Sequence, residues 1–304
     1  MNMEFDLLKP EHYPKLKPYF VAQSQPLSAY SLASLISWSQ CIFDTIFTQV
    51  GDTALFGERR MDDPNRKHLL LPVCPNGPKP PAWLKEKAVA NGFKEYHLVP
   101  QTYLDGFGRA EVEKLFAVTE ETEYEDYVYL SSNLAELPGR DYAKKRNLVR
   151  QFERQYLELG LVKVDPITSA NTGECLACLQ VWRSQSGEKE SDGMLECERQ
   201  AITRALQNFA VLELQGVMLS ISGQVAGFGI GSRLRDDTWV LHFEKASDQV
   251  KGLYQYLDRE CARRLFPGVT FLNKESDMGD AGLAKAKISY RPAFRVKSYR
   301  LALR

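Results

Sequence analysis

Apolar positions along the chain recur with two periods, and stretches of the two kinds alternate. In the first half, Phe5-Asp-Leu-Leu8 has the pattern of a short strand, and Pro10-Glu11 opens a helix. Proline followed by an acid suits the free N–H groups of a first helical turn. Leu27 to Trp38 has helical spacing. Cys41 to Val50, rich in β-branched and aromatic residues, and Thr53 to Gly57 flank Gly51-Asp52, which predicts a hairpin. Lys67 to Val73 is a further strand, Pro81 to Ala90 a helix stopped near Gly92, and Tyr96 to Val99 a strand. The second half runs through a similar series. Leu161 to Val164 is a strand, and Thr172 to Ser184 and Leu195 to Phe209 are helical. Gly216 to Ser220 and Val225 to Ile230 form a hairpin around Ser222-Gly223, and Thr238 to Phe243 follows as a strand. Leu253 to Leu265 is a helix, Val269 to Leu272 a strand, Leu283 to Ser289 a short helix, and Phe294 to Leu301 a last strand ending the second sheet.

The chain has 304 residues, which suits two halves of about 150 each. No residue-level repeat is visible, so the duplication rests on element order alone. Strand, helix, helix, three antiparallel strands, helix, strand, helix, strand is the order of the N-acetyltransferase (GNAT) fold. The expected architecture is α+β: two tandem GNAT-like domains, each a mixed, mostly antiparallel sheet flanked by helices. The expected boundaries are 1–139 for the first domain, a connecting basic helix over 140–160, and 161–304 for the second, which carries the site.

Projected on a helical wheel at about 100° per residue, Tyr142, Val149, Phe152 and Tyr156 of the connecting helix share one face. Arg146, Arg150 and Arg154 form an adjacent stripe, and Lys145 falls on the apolar face itself. Either Lys145 snorkels to water from the helix start, or it aims a cation into the cleft between the halves. Formal net charge is zero, yet charge is unevenly spread. Glu111 to Asp126 holds seven acids and one lysine, whereas Lys285, Lys287, Arg291, Arg295, Lys297, Arg300 and Arg304 follow Asp280 with no further acid. Local basic segments can capture an anion on a neutral protein, although each of these runs also reads as a solvated face.

Composition is that of a globular protein, 44% hydrophobic and 26% charged. No apolar run approaches the roughly 18 residues of a membrane span, and the N-terminal residues lack the pattern of a signal peptide, so a cytoplasmic protein is expected. Six cysteines do not make a disulfide scaffold, and Cys175 and Cys178 lack the second ligand pair of a structural zinc site. The four histidines show no metal-ligand spacing. Gly227-Phe-Gly229-Ile-Gly231 lies inside a strand, which excludes a dinucleotide loop.

Three blocks carry a family resemblance. Leu137-Pro-Gly139-Arg140-Asp-Tyr142-Ala-Lys144-Lys145-Arg146-Asn147 through Phe152 is the first. His242-Phe-Glu244-Lys245-Ala246 with Gly252-Leu-Tyr254-Gln255 is the second, and Asn273-Lys-Glu275-Ser-Asp277-Met-Gly279 through Pro292 is the third. Together they resemble a bacterial family of unknown function related to the C-terminal catalytic domain of phosphatidylglycerol lysyltransferases. The resemblance implies a tandem GNAT fold and transfer of an acyl or aminoacyl group from an ester or thioester donor to an amine or hydroxyl. Such a reaction needs a base for the nucleophile's proton and donors for the oxyanion. No tightly bound cofactor is expected; the donor is acyl-CoA or aminoacyl-tRNA. Against the glycine-rich acetyl-CoA loop pattern, Gln249 and Gly252 fit, but Tyr254 stands where a small residue is needed and crowds a pyrophosphate. That, with the basic run at 140–154, favours aminoacyl-tRNA and hence tRNA as a partner. The corresponding loop of the first half, Cys74 to Pro81, is rich in proline and offers few N–H groups.

Glu244 and Asp277, each at the end of a predicted strand, are the carboxylates expected to act as base or amine holder; an ion pair with Lys245 or Lys285, or a helix cap, is the structural alternative. His242 is either a site residue or a satisfied core histidine. Lys145, Arg146, Asn147, Gln249, Gly252, Tyr254, Gln255, Asn273, Lys285, Lys287 and Tyr290 are candidates for binding donor or acceptor. Lys145, Arg146, Lys285 and Lys287 are expected to line one cleft. The rival to an enzyme is a binding protein that keeps the fold without the chemistry.

Overall fold

The computed structural model describes residues 3–186, 193–265 and 267–304. In chain order the elements are β1 (Asp6–Leu7), α1 (Tyr13–Val21), α2 (Leu32–Trp38), β2 (Phe43–Val50), β3 (Thr53–Arg60), β4 (Lys67–Leu69), α3 (Pro81–Ala90) and β5 (Glu95–Pro100). Then come α4 (Gln101–Phe107), α5 (Arg109–Glu113), β6 (Phe116–Glu120), β7 (Asp126–Leu130), α6 (Ser131–Glu136), α7 (Ala143–Phe152), β8 (Val162–Pro166), α8 (Thr172–Ser186) and α9 (Gly193–Gln207). The chain ends with β9 (Gln215–Ile221), β10 (Gln224–Arg233), β11 (Thr238–Ala246), α10 (Leu253–Arg264), β12 (Phe271–Asn273), α11 (Ala281–Ile288), β13 (Phe294–Val296) and β14 (Ser298–Leu303).

These strands make two seven-stranded sheets, ordered β1-β2-β3-β4-β5-β14-β6 and β13-β7-β12-β11-β10-β9-β8. Each is mixed: β4 runs parallel to β5, and β11 parallel to β12, among antiparallel neighbours. The two sheets follow one plan, read from β1 in the first and β8 in the second. The sixth place in each plan is filled by a strand from the opposite half of the sequence, β14 in the first and β7 in the second. Accordingly the chain divides into two compact units, one formed by residues up to Tyr127 with Glu275–Ala284 and Arg295–Arg304, the other by Val128–Lys274 with Lys285–Phe294.

The division therefore falls at 127/128 and not at 139/140, and both units are discontinuous. The run from Phe294 to Leu301, expected to close the second sheet, is two strands. β14 pairs antiparallel with both β5 and β6. Ser298 and Leu301 are fully buried there, and burying a leucine contributes about 1.5–3 kcal/mol. Without β14, β5 and β6 would each present an unpaired edge.

In the first unit, part of the acid-rich run is internal. Glu121 accepts from His97 Nδ1 at 2.8 Å and Glu125 pairs with Arg295 at 2.8 Å. Asp126 accepts from the backbone N–H and hydroxyl of Ser28. Cys74, Cys175, Cys178 and Cys261 are buried free thiols.

In the second unit, the expected helix over 140–160 is shorter. α7 spans Ala143–Phe152, one π-helical turn follows over Glu153–Leu157, and the chain turns at Gly160 with φ +70°. Arg259 of α10 clamps that turn through Glu153 at 2.7 Å. α10 buries Leu253, Tyr256, Leu257 and Cys261. Its approach to β10 explains the Gly227-Phe-Gly229 run. A Cβ on Gly227 would lie 3.1 Å from Leu257 Cδ2, and one on Gly229 would collide with Cys261 Sγ.

Gly229→Ala is expected to destabilise the protein by about 1–3 kcal/mol through overpacking. Much of that cost should vanish in the Gly229→Ala/Cys261→Ala double variant. Urea unfolding of all three variants measures the coupling; strictly additive costs would show that the thiol is not what excludes a side chain there.

Candidate functional site

The second unit gathers a buried charged cluster where β11, α10 and the end of β12 converge. Glu244 sits near the end of β11, Asp258 on α10, and Lys274 directly after β12. Lys274 Nζ lies 2.8 Å from Glu244 Oε2 and 2.7 Å from Asp258 Oδ1, so one ammonium is shared by two carboxylates. The side chains of Glu244 and Lys274 are each 14% exposed and that of Asp258 only 2%. At such burial a charge is tolerated only with close partners.

Tyr290 forms the wall beside this pair and is itself buried. The Lys145 ammonium lies 3.8 Å from the centre of its ring and that of Lys274 5.3 Å, both within cation–π range. Tyrosine hydroxyls fix the surrounding backbone. Tyr142 donates to the Tyr290 carbonyl at 2.8 Å and Tyr129 to the Lys287 carbonyl at 2.9 Å. Lys287 in turn donates to the Lys274 carbonyl at 2.6 Å.

Burial pushes the Glu244 carboxyl up to about 7, and the Asp258 charge adds to the rise; Lys274 and Lys287 only partly offset it. Burial works against the Lys274 charge, but Asp258 and Glu244 outweigh it and hold the ammonium well above its ordinary value. Burial also raises the Tyr290 hydroxyl and lowers the Lys145 ammonium. The cluster thus offers a carboxylate poised to gain or lose a proton near neutrality, beside a firmly charged ammonium. That is the equipment for general acid–base work.

The model of the phosphatidylglycerol lysyltransferase C-terminal family matches residues 31–302. The chain belongs to that family. Over 99% of its length it resembles a conserved protein of unknown function from Bacteroides thetaiotaomicron VPI-5482, matching all of that chain at 27% identity and a TM-score of 0.88. It also resembles the C-terminal domain of a protein from Agrobacterium fabrum assigned as a lysylphosphatidylglycerol synthetase. There the identity is 12%, the TM-score 0.64, and the match covers 96% of this chain and 92% of that one. FemX shares the fold at 10% identity and a TM-score of 0.55, over 99% of this chain and 98% of its own. A curated relative, an uncharacterized protein of Mycoplasmoides gallisepticum, is 24% identical over 175 residues, 57% of this chain. The match spans 54% of that relative, about half its length. Sheet order and these likenesses agree on the tandem GNAT-like α+β fold.

Within this family member, the residues singled out from the sequence part into several groups. Glu244, Lys145, Lys287 and Tyr290 come together in the cluster. Glu244 pairs with Lys274 and not with Lys245, which reaches Glu198 at 2.6 Å. Asp277 belongs to the first unit, where it accepts from the Tyr127 hydroxyl at 2.5 Å and from the Gly279 N–H at 2.9 Å. Arg146 turns onto the carbonyls of Leu137 and Gly139 and ties down the loop after α6. Lys285 is exposed on α11, so the expected row of four cations reduces here to Lys145 and Lys287. His242 is buried and exchanges a 2.8 Å hydrogen bond with Ser232 on the neighbouring strand, the satisfied core histidine of the two alternatives. Asn273 is fully buried at the end of β12, Asn147 is exposed on α7, and Gln255 is half-buried on α10. Gln249 is exposed and bonded to Asp248. Tyr254 stands in the first turn of α10, 39% exposed.

Gly252 has a specific duty. Its φ is +83°, and a Cβ there would collide with the Leu148 carbonyl and lie 3.2 Å from Phe152 Cβ. The glycine lets α10 begin against α7, where the Phe152 and Tyr256 rings meet tilted, their centres 4.6 Å apart.

Asp258 and Lys274 are the site residues that sequence reasoning missed. Lys274 stands inside the Asn273–Pro292 block, and Asp258 is an acid flanking the apolar face of α10; those were the available signals.

The raised Glu244 carboxyl has a consequence for stability. Between its ordinary value of 4.5 and about 7, native Glu244 holds a proton that the unfolded chain has released. Stability attached to that proton is present at the acid end and is lost as pH rises through the window. Unfolding free energies measured from pH 4.5 to 7 should therefore fall less steeply for Glu244→Gln than for the unaltered protein. Equal slopes would mean that Glu244 titrates as an ordinary carboxylate.

Proposed function

We propose that the chain transfers an activated acyl or aminoacyl group to an amine or hydroxyl, with Glu244 as the general base. The observation that carries this reading is a carboxyl poised near pH 7 beside the Lys274 ammonium, in a member of a family named for lysyl transfer. In the reaction, the acceptor nitrogen or oxygen attacks the donor's carbonyl carbon. Its proton passes to the Glu244 carboxylate. The new bond to carbon forms, and the ester or thioester bond breaks. The departing hydroxyl or thiol takes the proton back from Glu244, leaving the carboxylate ready for a second cycle.

An aminoacyl-tRNA is favoured over acyl-CoA as donor. Gly252 is accounted for by the contact of α10 with α7, which removes the main argument for a pyrophosphate loop. The exposed side chain of Tyr254 occupies that loop's last small position. The outer face of α7 carries Lys144 and Arg150, both exposed, and suits a polyanionic donor.

The test is a transfer assay that offers mixed aminoacyl-tRNAs or mixed acyl-CoA thioesters to a panel of amine and hydroxyl acceptors. The account expects turnover with the charged RNA, and a loss on the order of a hundredfold or more in kcat for Glu244→Gln. Turnover only with CoA thioesters would reverse the choice of donor. Full activity in Glu244→Gln would remove Glu244 from the chemistry, and no transfer from either donor would favour a binding protein.

A further inference from the structure

Two histidines lie side by side on the sheet of the first unit. His68 of β4 and His97 of β5 have ring centres 4.2 Å apart. His97 meets a carboxylate at each ring nitrogen. Its Nδ1 bonds to Glu121 Oε1 at 2.8 Å, and its Nε2 lies 3.1 Å from Glu95 Oε1. The second contact is out of line for a hydrogen bond and acts as a charge contact. A neutral imidazole has one N–H and one lone pair, so one of the two carboxylates would then face a lone pair. The imidazolium suits both. His68 faces one carboxylate, Glu58, at 3.1 Å, which a single N–H satisfies. Two charged rings so close would repel each other, and the geometry therefore puts the charge on His97.

That charge sits beside a strained piece of backbone. Tyr299 and Leu301 of β14 pair with Val99 and Tyr96 of β5, so Arg300 opposes both His97 and Leu98 in a β-bulge. Leu98 has φ +55°, in the left-handed region that favours glycine. Its backbone is held on both sides. The Leu98 N–H donates to Glu121 Oε2 at 3.0 Å, and the Leu98 carbonyl accepts from the Tyr30 hydroxyl at 3.0 Å. The same hydroxyl accepts from the Leu71 N–H at 3.0 Å. β4 and β5 are paired at Leu69 and Tyr96, and past that pair Tyr30 joins Leu71 to the bulge. Glu121 thus holds the imidazolium with one oxygen and the strained N–H with the other.

We propose that His97 is a proton-operated lock on the bulge of β5. Charged, it keeps Glu121 on the Leu98 N–H; neutral, it releases Glu121 and loosens the join between β4 and β5. The device concerns the first unit alone and does not rest on the transfer reading. Burial works against the His97 charge, but Glu121 and then Glu95 outweigh it and hold the imidazolium above its ordinary 6.5. Burial also opposes the Glu121 charge, but His97, the Leu98 N–H and the Ser298 hydroxyl together hold that carboxyl below its ordinary 4.5. The other titratable and charged groups around the pair are Glu58 of β3, Glu123 and Tyr124 from the turn after β6, and Arg300 of β14, 3.8 Å from Glu95. A histidine raised in the folded state adds stability that is complete below 6.5 and is lost as pH rises through the folded value. The lock is therefore closed at pH 6 and opens on the alkaline side, where Glu121 remains charged.

NMR of the full chain tests this without any donor or acceptor. The ring nitrogens of His97 are followed from pH 6 to pH 9, together with the hydrogen-exchange protection of the Leu98 amide, corrected for the intrinsic rise of exchange with pH. The expected result is a doubly protonated ring at pH 6 that loses a proton on the way to pH 9. Leu98 protection should fall with it, on the order of tenfold to a hundredfold, as for the loss of one hydrogen bond to a charged group. Thr48 and Leu55, paired across β2 and β3, should keep their protection. In His97→Gln, Leu98 should be poorly protected at both pH values. In Glu95→Gln the ring proton should leave at a lower pH and the loss of protection should move with it, which keeps the test sound if His97→Gln folds poorly. A singly protonated ring at pH 6, a charge kept to pH 9, or Leu98 protection that ignores the ring titration would each overturn the lock. So would full protection in His97→Gln, an unmoved midpoint in Glu95→Gln, or an equal loss at Thr48 and Leu55, which would show that the charge supports the whole unit and not the bulge.

Discussion

One ammonium shared by two buried carboxylates governs the second unit. Lys274 draws Glu244 from β11 and Asp258 from α10 to the end of β12, and its removal would leave two like charges facing one another in a largely buried region. Breaking a buried pair by removing one partner typically costs about 3–5 kcal/mol. The same arrangement sets the chemistry. Burial raises the Glu244 carboxyl and the neighbouring Asp258 charge adds to the rise, while the one ammonium offsets them only in part, so Glu244 keeps its proton to a higher pH than usual.

The backbone frame makes that sharing possible. α10 reaches β10 closely enough for Cys261 and Leu257 to rest on Gly229 and Gly227, which brings Asp258 down to the level of Glu244. Gly252 starts α10 against α7 and so places α7, with Lys145 in its first turn, beside the same site. Tyr290 and Lys287 are in turn fixed through their backbone carbonyls by the side chains of Tyr142 and Tyr129.

Much of this was legible in the sequence. α3, the hairpins and α10 follow hydrophobic period and turn chemistry, so local rules suffice for them. The stretch from Gln101 to Glu136 was harder. Its helices are short, and the acids along β6 and β7 depress the strand signal, although those acids find partners in the folded state. The change of sheet between β13 and β14 at Lys297 has no local signature, because Phe294 to Leu301 contains no glycine or proline that would break it. In the site, Glu244, Lys145, Lys287 and Tyr290 were readable from their blocks. Asp258 and Lys274 were not, since a lone acid on a helix flank and a lysine after a strand both look like solvated surface. Gly252 was read from the sequence as fitting a glycine-rich donor loop, and the structure adds that it lets α10 pack against α7.

The account stands on the ionisation of a single carboxyl. Its most direct test is the pH titration of the Glu244 side-chain carbon by NMR, in protein labelled at the glutamate carboxyls and assigned with Glu244→Gln. A midpoint near 7 is predicted, as expected for a buried acid beside the Asp258 charge. A midpoint below about 5, the range of ordinary glutamates, would contradict a carboxyl raised by burial and Asp258 and, with it, the assignment of Glu244 as the base.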